Sequence, residues 1–92
     1  MKNFEWDKDK RELNLEKHGI DFVDVITVFD DPDRIEASNQ RHGEERFQTI
    51  GTVHDVVIFL VYTIRKSKKR IISARRASKN ERETYHEEKS SR

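Results

Sequence analysis

Seven consecutive apolar residues, Val56-Val57-Ile58-Phe59-Leu60-Val61-Tyr62, stand in a chain that is 40% charged and only 33% hydrophobic. So lean a composition makes this run the place around which a core has to be built. A strand with one wet face alternates apolar and polar residues, whereas a strand that is apolar at every position is covered on both sides. The run therefore predicts the central strand of a sheet. The other apolar clusters, Phe22–Phe29, Phe47–Ile50 and Ile71–Ile72, supply what packs against it. At 92 residues there is room for one such core, and the chain reads as a single domain over 1–92.

The remaining elements follow from caps and periodicity. Phe4-Glu5-Trp6 alternates as a short edge strand does. Asp7 is placed to cap a helix over Lys8–His18, with Gly19 at its left-handed end, and Asp21 to cap a second helix. In that second helix Phe22, Val25, Ile26 and Phe29 follow the spacing of a buried face, and Pro32 stops it. Strands are expected over Arg34–Ala37, Arg46–Ile50, Val56–Tyr62 and Arg70–Arg76, with a polar loop at Ser38–Glu45 and a basic turn at Lys66–Lys69. Ser78-Lys79-Asn80-Glu81 is a capping box that opens a helix running to about Glu87, and Lys89–Arg92 is expected to fray. The order is β-α-α, a four-strand, mostly antiparallel meander and a C-terminal helix, an α+β fold.

Charge is distributed unevenly. Residues 1–45 carry seven Lys/Arg against thirteen Asp/Glu, and residues 46–92 carry twelve against five. From Arg65 to Arg82 there are nine cations and one acid, Glu81. Cations packed beside a buried strand suit a phosphate backbone, so RNA or DNA is the partner to expect. Arg65, Lys66, Lys68, Lys69, Arg70, Lys79 and Arg82 are the candidate RNA-binding residues. The chain has no cysteine, and Met1–Lys10 is charged throughout without an apolar signal region, which fits the cytoplasm. No apolar run reaches the length of a membrane span.

Candidate catalytic residues lie in and beside the basic segment. Arg75 and Arg76 are neighbours on a strand and must point to opposite faces, Ile71 and Ser73 sharing the face of Arg75 and Ile72 and Ala74 that of Arg76. A guanidinium on a rigid strand can bind phosphate bidentately and neutralise charge growing on it. Arg46 and Tyr62 fall on neighbouring strands, and Tyr85 and His86 on the last helix. Tyrosine can stack on a base, and histidine can move a proton near neutral pH. Each has a plainer alternative: a surface ion pair with Glu81 or Glu83 for Arg75 and Arg76, a core aromatic for Tyr62, simple exposure for His86. His18 suits the C-terminal end of the first helix, where a cation is favoured. Lys10, Asn14 and Lys17 read as a solvated stripe beside it. The four histidines are too far apart in sequence for a ligand set, and Asp30-Asp31-Pro32-Asp33 looks like a helix stop, so neither a metal nor another cofactor is expected.

Phe4-Glu5-Trp6-Asp7, Lys17-His18-Gly19-Ile20, Val28-Phe29-Asp30-Asp31-Pro32, Glu45-Arg46-Phe47 with Thr49-Ile50-Gly51, Val61-Tyr62-Thr63, and Arg70–Ser78 with Glu81-Arg82 and Tyr85 occur in this order. Together they resemble the BrnT family over Phe4–Tyr85. The resemblance implies a RelE-like fold and an endoribonuclease toxin that arrests translation. It also implies a BrnA-type antitoxin with a ribbon-helix-helix part, which binds operator DNA, in a two-plus-two assembly. The basic segment alone serves a non-catalytic nucleic-acid-binding or autorepressor module equally well.

Overall fold

The computed structural model describes residues 3–92. Phe4–Trp6 forms β1, after which the Asp7 carboxylate accepts the Lys10 amide at 3.0 Å and opens α1, Lys8–His18. Gly19 ends α1 in the left-handed region (φ 70°), where glycine pays no Cβ penalty. Asp21 caps α2, Phe22–Val25, which tightens at once into a 3₁₀ segment, Ile26–Asp30. Three residues per turn put Phe22, Val25 and Val28 on the buried line. Ile26 and Phe29, expected there at α-helical spacing, are only half-buried. Asp31 is already extended ahead of Pro32.

The four later strands are longer than expected. They are β2 (Ile35–Arg41), β3 (Glu44–Val53), β4 (Val56–Arg65) and β5 (Lys68–Arg76). They pair antiparallel in succession, and β1 joins β5 in parallel, giving the order β1-β5-β4-β3-β2. Turn chemistry explains the extra length. All three hairpin turns have two central residues of positive φ: His42-Gly43, His54-Asp55 and Lys66-Ser67. Such turns match the twist of the strands, so pairing runs up to the turn itself. The expected loop at Ser38–Glu45 is therefore mostly strand, and the basic turn shrinks to Lys66-Ser67.

Cross-strand partners share a face, which sorts the side chains into two layers. On the first face Val53, Ile58, Leu60, Tyr62, Ile71 and Ala74 meet Phe22, Val25 and Val28. On the second face Val57 and the half-buried Ile35 and Ile50 meet Ala77 and Tyr85. Gly51 lets the layers close: a Cβ there would lie 2.8 Å from Val28 and 3.0 Å from Arg34. Strict alternation fails once, at a bulge. Val61 pairs with Ser73 but Tyr62 pairs with Ile71, so Ile72 is the extra residue. Ile71 therefore lies on the face of Arg76, not of Arg75 as alternation predicts. The β1–β5 register runs from Phe4–Lys69 to Trp6–Ile71, and beyond it α1 covers the edge of β5. Asn14, expected in a solvated stripe, is buried, donates to the Ala74 carbonyl at 2.8 Å and accepts the Ala74 amide at 3.1 Å. One side chain thus satisfies both backbone groups of an uncovered strand edge.

The Ser78 capping box opens α3, Lys79–Ser90, three residues longer than expected. Half of the stretch 89–92 expected to fray is thus helical, and Arg92 donates to the Pro32 carbonyl at 3.1 Å. Tyr85, 1% exposed, anchors α3 by donating its hydroxyl to Asp31 at 2.6 Å. Asp31 also accepts the Thr52 amide and hydroxyl and the Asp33 amide. Burial pushes the Asp31 carboxyl up, but these four donors together hold it down at about 2 against an ordinary 3.8. A depressed pKa stabilises the fold in full above the ordinary aspartate range and is lost as the pH falls towards 2. Asp31→Asn should therefore cost about 2 kcal/mol at pH 7 and flatten the acid limb of stability between roughly pH 4 and pH 2. Urea unfolding across that range reads both; an unchanged acid limb would contradict this role for Asp31.

Candidate functional site

The α1–α2 layer covers the first face of the sheet, while α3 covers only one end of the second. What stays open there is the surface that β2, β3, β4 and β5 present beyond Ile50 and Val57. Asn39, Arg46, Gln48, Phe59, Val61 and Ser73 line a cleft of about 350 Å³ on it. The pairing places Arg41, Arg46, Arg65, Lys68, Arg70 and Arg75 on this face, six cations against Glu5, Glu44 and Glu81. Half-buried Phe59 and Val61 offer apolar surface between these charges, and Asn39 and Gln48 offer amides. An open sheet carrying aromatics, amides and cations can stack bases, read their edges and hold the backbone.

Four of the arginines on this face pair with carboxylates, Arg65 only loosely, 3.9 Å from Glu44. Arg46 meets Glu44 at 3.1 Å, and Arg70 meets Glu5 at 2.7 Å. Arg75 makes the most constrained contact: it bonds Glu81 bidentately at 2.8 and 2.9 Å and stacks on Phe59, 4.3 Å from the ring centroid. Glu81 also accepts the Ser78 amide at 2.8 Å, so one carboxylate caps α3 and orients the guanidinium. The hydrogen bonds from Arg75 keep the Glu81 carboxyl below its ordinary range, and Glu81 in turn raises Arg75.

The expected catalytic residues therefore do not meet in one place. Arg46 and Arg75 share the open face. Tyr62 lies in the core on the opposite face, 4% exposed, between the rings of Phe29 and Phe47, with its hydroxyl on Glu36 at 2.5 Å. Burial first, and then Glu36, push that phenol well above its ordinary range, which fits a core donor and not a proton relay. Tyr85 is committed to Asp31. Arg76, Arg82 and His86 gather instead around a cleft on the far side of α3, and Lys79 opens the helix between the two clefts. Of the remaining basic residues, Lys66 sits at the β4–β5 turn, while Lys69 lies on the first face with its ammonium 5.2 Å from the Phe29 ring. His18 ends α1 as expected.

Sequence reasoning missed Glu44 as the partner of Arg46, whereas the plainer reading of the arginines, an ion pair with Glu81 or Glu83, holds for Arg75 with Glu81. The capping-box spacing marked Glu81 for its backbone role as well, and which arginine it takes depends on how α3 packs. Among the described residues, no three His, Asp or Glu side chains converge as a possible metal ligand set, and no helix is long and apolar enough to cross a membrane.

Arg75 and Arg76 differ in surroundings as well as in direction: Arg75 is pinned at the edge of the open-face cleft, while Arg76 is exposed beyond the first-face core. If RNA is cut on the open face, Arg75→Ala should slow cleavage at least about tenfold, roughly 1.4 kcal/mol, more than Arg76→Ala does. Equal losses in two folded variants, compared by initial rates at saturating RNA, would contradict that placement.

The family model described as "Ribonuclease toxin, BrnT, of type II toxin-antitoxin system" matches residues 6–81. No curated protein matches the chain.

Proposed function

The chain belongs to the BrnT family of ribonuclease toxins of type II toxin–antitoxin systems, and from that premise we propose that it cuts RNA on the open face of its sheet without a metal ion. We read the α+β architecture as RelE-like and 1–92 as one toxin domain. The observation that carries the proposal is the Arg75–Glu81 pair, stacked on Phe59 beside an open, cationic cleft.

In the proposed step a ribose 2′-oxygen attacks the adjacent phosphorus. A bond from that oxygen to phosphorus forms and the bond to the 5′-oxygen breaks, leaving a 2′,3′-cyclic phosphate and a 5′-hydroxyl. The proton of the 2′-hydroxyl passes to the Glu81 carboxylate, which Arg75 keeps ionised, and the departing 5′-oxygen takes a proton from water. Arg75, released from Glu81 as that carboxylate is neutralised, turns its fork to the phosphate oxygens as their charge grows. Arg46 holds a neighbouring phosphate, and Phe59 stacks a base.

Cutting of this kind arrests translation and growth in the cytoplasm, so the free toxin has to be covered. A BrnA-type ribbon-helix-helix antitoxin would lay an acidic, apolar segment over the cationic face and occlude Arg75, while its own dimer carries operator DNA in a two-plus-two assembly. Light scattering on the co-expressed pair reads that stoichiometry.

Purified protein should fragment RNA in excess chelator. Glu81→Gln keeps the capping box, since glutamine serves there too, yet should lower the rate at least about a hundredfold. Because Arg75 depresses the Glu81 carboxyl, cleavage should persist down to the ordinary carboxylate range. A fall in rate through roughly pH 6.5, far above the carboxylate range, would take the proton transfer away from Glu81. Activity abolished by chelator and restored by magnesium would overturn the metal-free step. Intact RNA together with a salt-dependent mobility shift would leave a binding module or autorepressor.

A further inference from the structure

The two sides of α3 carry different chemistry. Glu81 faces the open sheet, while Arg82, His86 and Lys89, spaced i, i+4 and i+7, lie along the other side. There they line a cleft of about 480 Å³ together with Arg76, Thr52 and Asp55. The open-face arginines are mostly paired, but among the described residues Arg76 and Arg82 have no carboxylate within ion-pair distance. Arg82 gives one guanidinium nitrogen to the Ala77 carbonyl at 2.9 Å, which fixes the side chain and leaves its other donors free. Lys89 reaches Asp33 only at 3.9 Å, so its charge too is poorly compensated. Asp55 is the single acid lining the cleft, against three permanent cations.

We propose that this cleft is a second backbone site for single-stranded RNA, in which Arg76 and Arg82 each hold a phosphate of the strand whose other part lies on the open sheet face. Uncompensated guanidinium groups with a forked geometry suit phosphate oxygens, and Val56, Val57 and Ala77 in the same cleft give a base or ribose an apolar surface to rest on. The strand crosses α3 near Lys79, a helix about 10 Å thick with its side chains, so a dinucleotide is too short to reach both clefts and a twelve-mer is long enough. Binding across two sites makes affinity depend on RNA length, and it selects single strands, because a stiff duplex cannot fold around the end of a helix. The inference rests on the reading of the chain as an RNA-binding toxin, but it is tested by binding and not by cleavage.

The test uses the full chain with an uncleavable 2′-O-methyl RNA twelve-mer, followed by fluorescence anisotropy across a salt series, with a dinucleotide as competitor. Arg76→Ala combined with Arg82→Ala should weaken twelve-mer binding about tenfold. It should also reduce the slope of log affinity against log salt by about 1.4, two phosphate contacts at about 0.7 each, and leave dinucleotide competition on the sheet face unchanged. Lys8→Ala combined with Lys17→Ala removes the same charge from α1 and should change affinity less than about twofold. Arg76→Glu alone, at an exposed side chain without an ion pair, should shift affinity in the same direction and guards against a variant weakened by poor folding. Equal weakening by the α1 pair and the cleft pair would overturn the proposal, because it would mean unspecific charge attraction. Twelve-mer affinity and slope unchanged by the cleft pair would also overturn it and assign the cleft to an acidic protein partner. Should the protein cut no RNA, the binding results still decide this site by themselves.

Discussion

A single carboxylate joins the parts of this protein that have to stay in register. Asp31 follows the 3₁₀ segment on the first face of the sheet, takes two donors from Thr52 on β3 and one from Asp33, and receives the Tyr85 hydroxyl from α3 on the opposite face. No cysteine is available to staple so charged a chain. A buried anion with four donors is stable because every lone pair that desolvation exposes is repaid by a directed hydrogen bond. Gly51 is part of the same junction, since any side chain there would collide with Val28 and crowd Asp31. Without this tie α3 would have little to hold it: its apolar contribution to the second-face core is essentially Tyr85, with Ala77 just ahead of it.

The position of α3 in turn decides what the cations can do. It covers Val57 and Ile50, leaves the rest of the second face open, and separates two clefts of different character. On the sheet side the arginines come with carboxylates, an arrangement that holds guanidinium groups in fixed directions and places a proton acceptor beside them. On the far side the cations stand without such partners, which favours binding a polyanion over chemistry. The Arg75–Glu81 pair is exposed enough that its direct worth to stability is small, about 1 kcal/mol or less. Its worth lies in orientation: Glu81 is fixed by the capping box, Arg75 by Phe59 and the strand.

Much of this was legible in the residues. The caps at Asp7, Asp21 and Ser78, the helix end at Gly19 and the central strand beginning at Val56 all follow from local rules, and the structure places each as expected. What local rules miss are contacts made across the chain. Asn14 looks like a surface residue because its partner, the edge of β5, is sixty residues away. The bulge at Ile72 leaves no composition signal, since isoleucine is an ordinary strand residue. The length of the β2–β3 hairpin was hidden because Ser38–Glu45 is polar throughout and carries no alternation, so its strand ends and His-Gly turn resemble a loop. At the site, adjacency on a strand correctly separated Arg75 from Arg76. Nothing in the spacing of Tyr62, Tyr85 and His86 showed that one enters the core, one binds Asp31 and one lies beyond α3.

The most direct measurement of the central claim is amide chemical-shift mapping by NMR with an uncleavable single-stranded RNA on the isotope-labelled chain. RNA seated on the second face of the sheet should perturb Arg46, Gln48, Phe59, Ser73 and Arg75, with α1 and the 3₁₀ segment unaffected. Perturbations centred on α1 and α2, with the amides of Phe59 and Arg75 unmoved, would contradict the account.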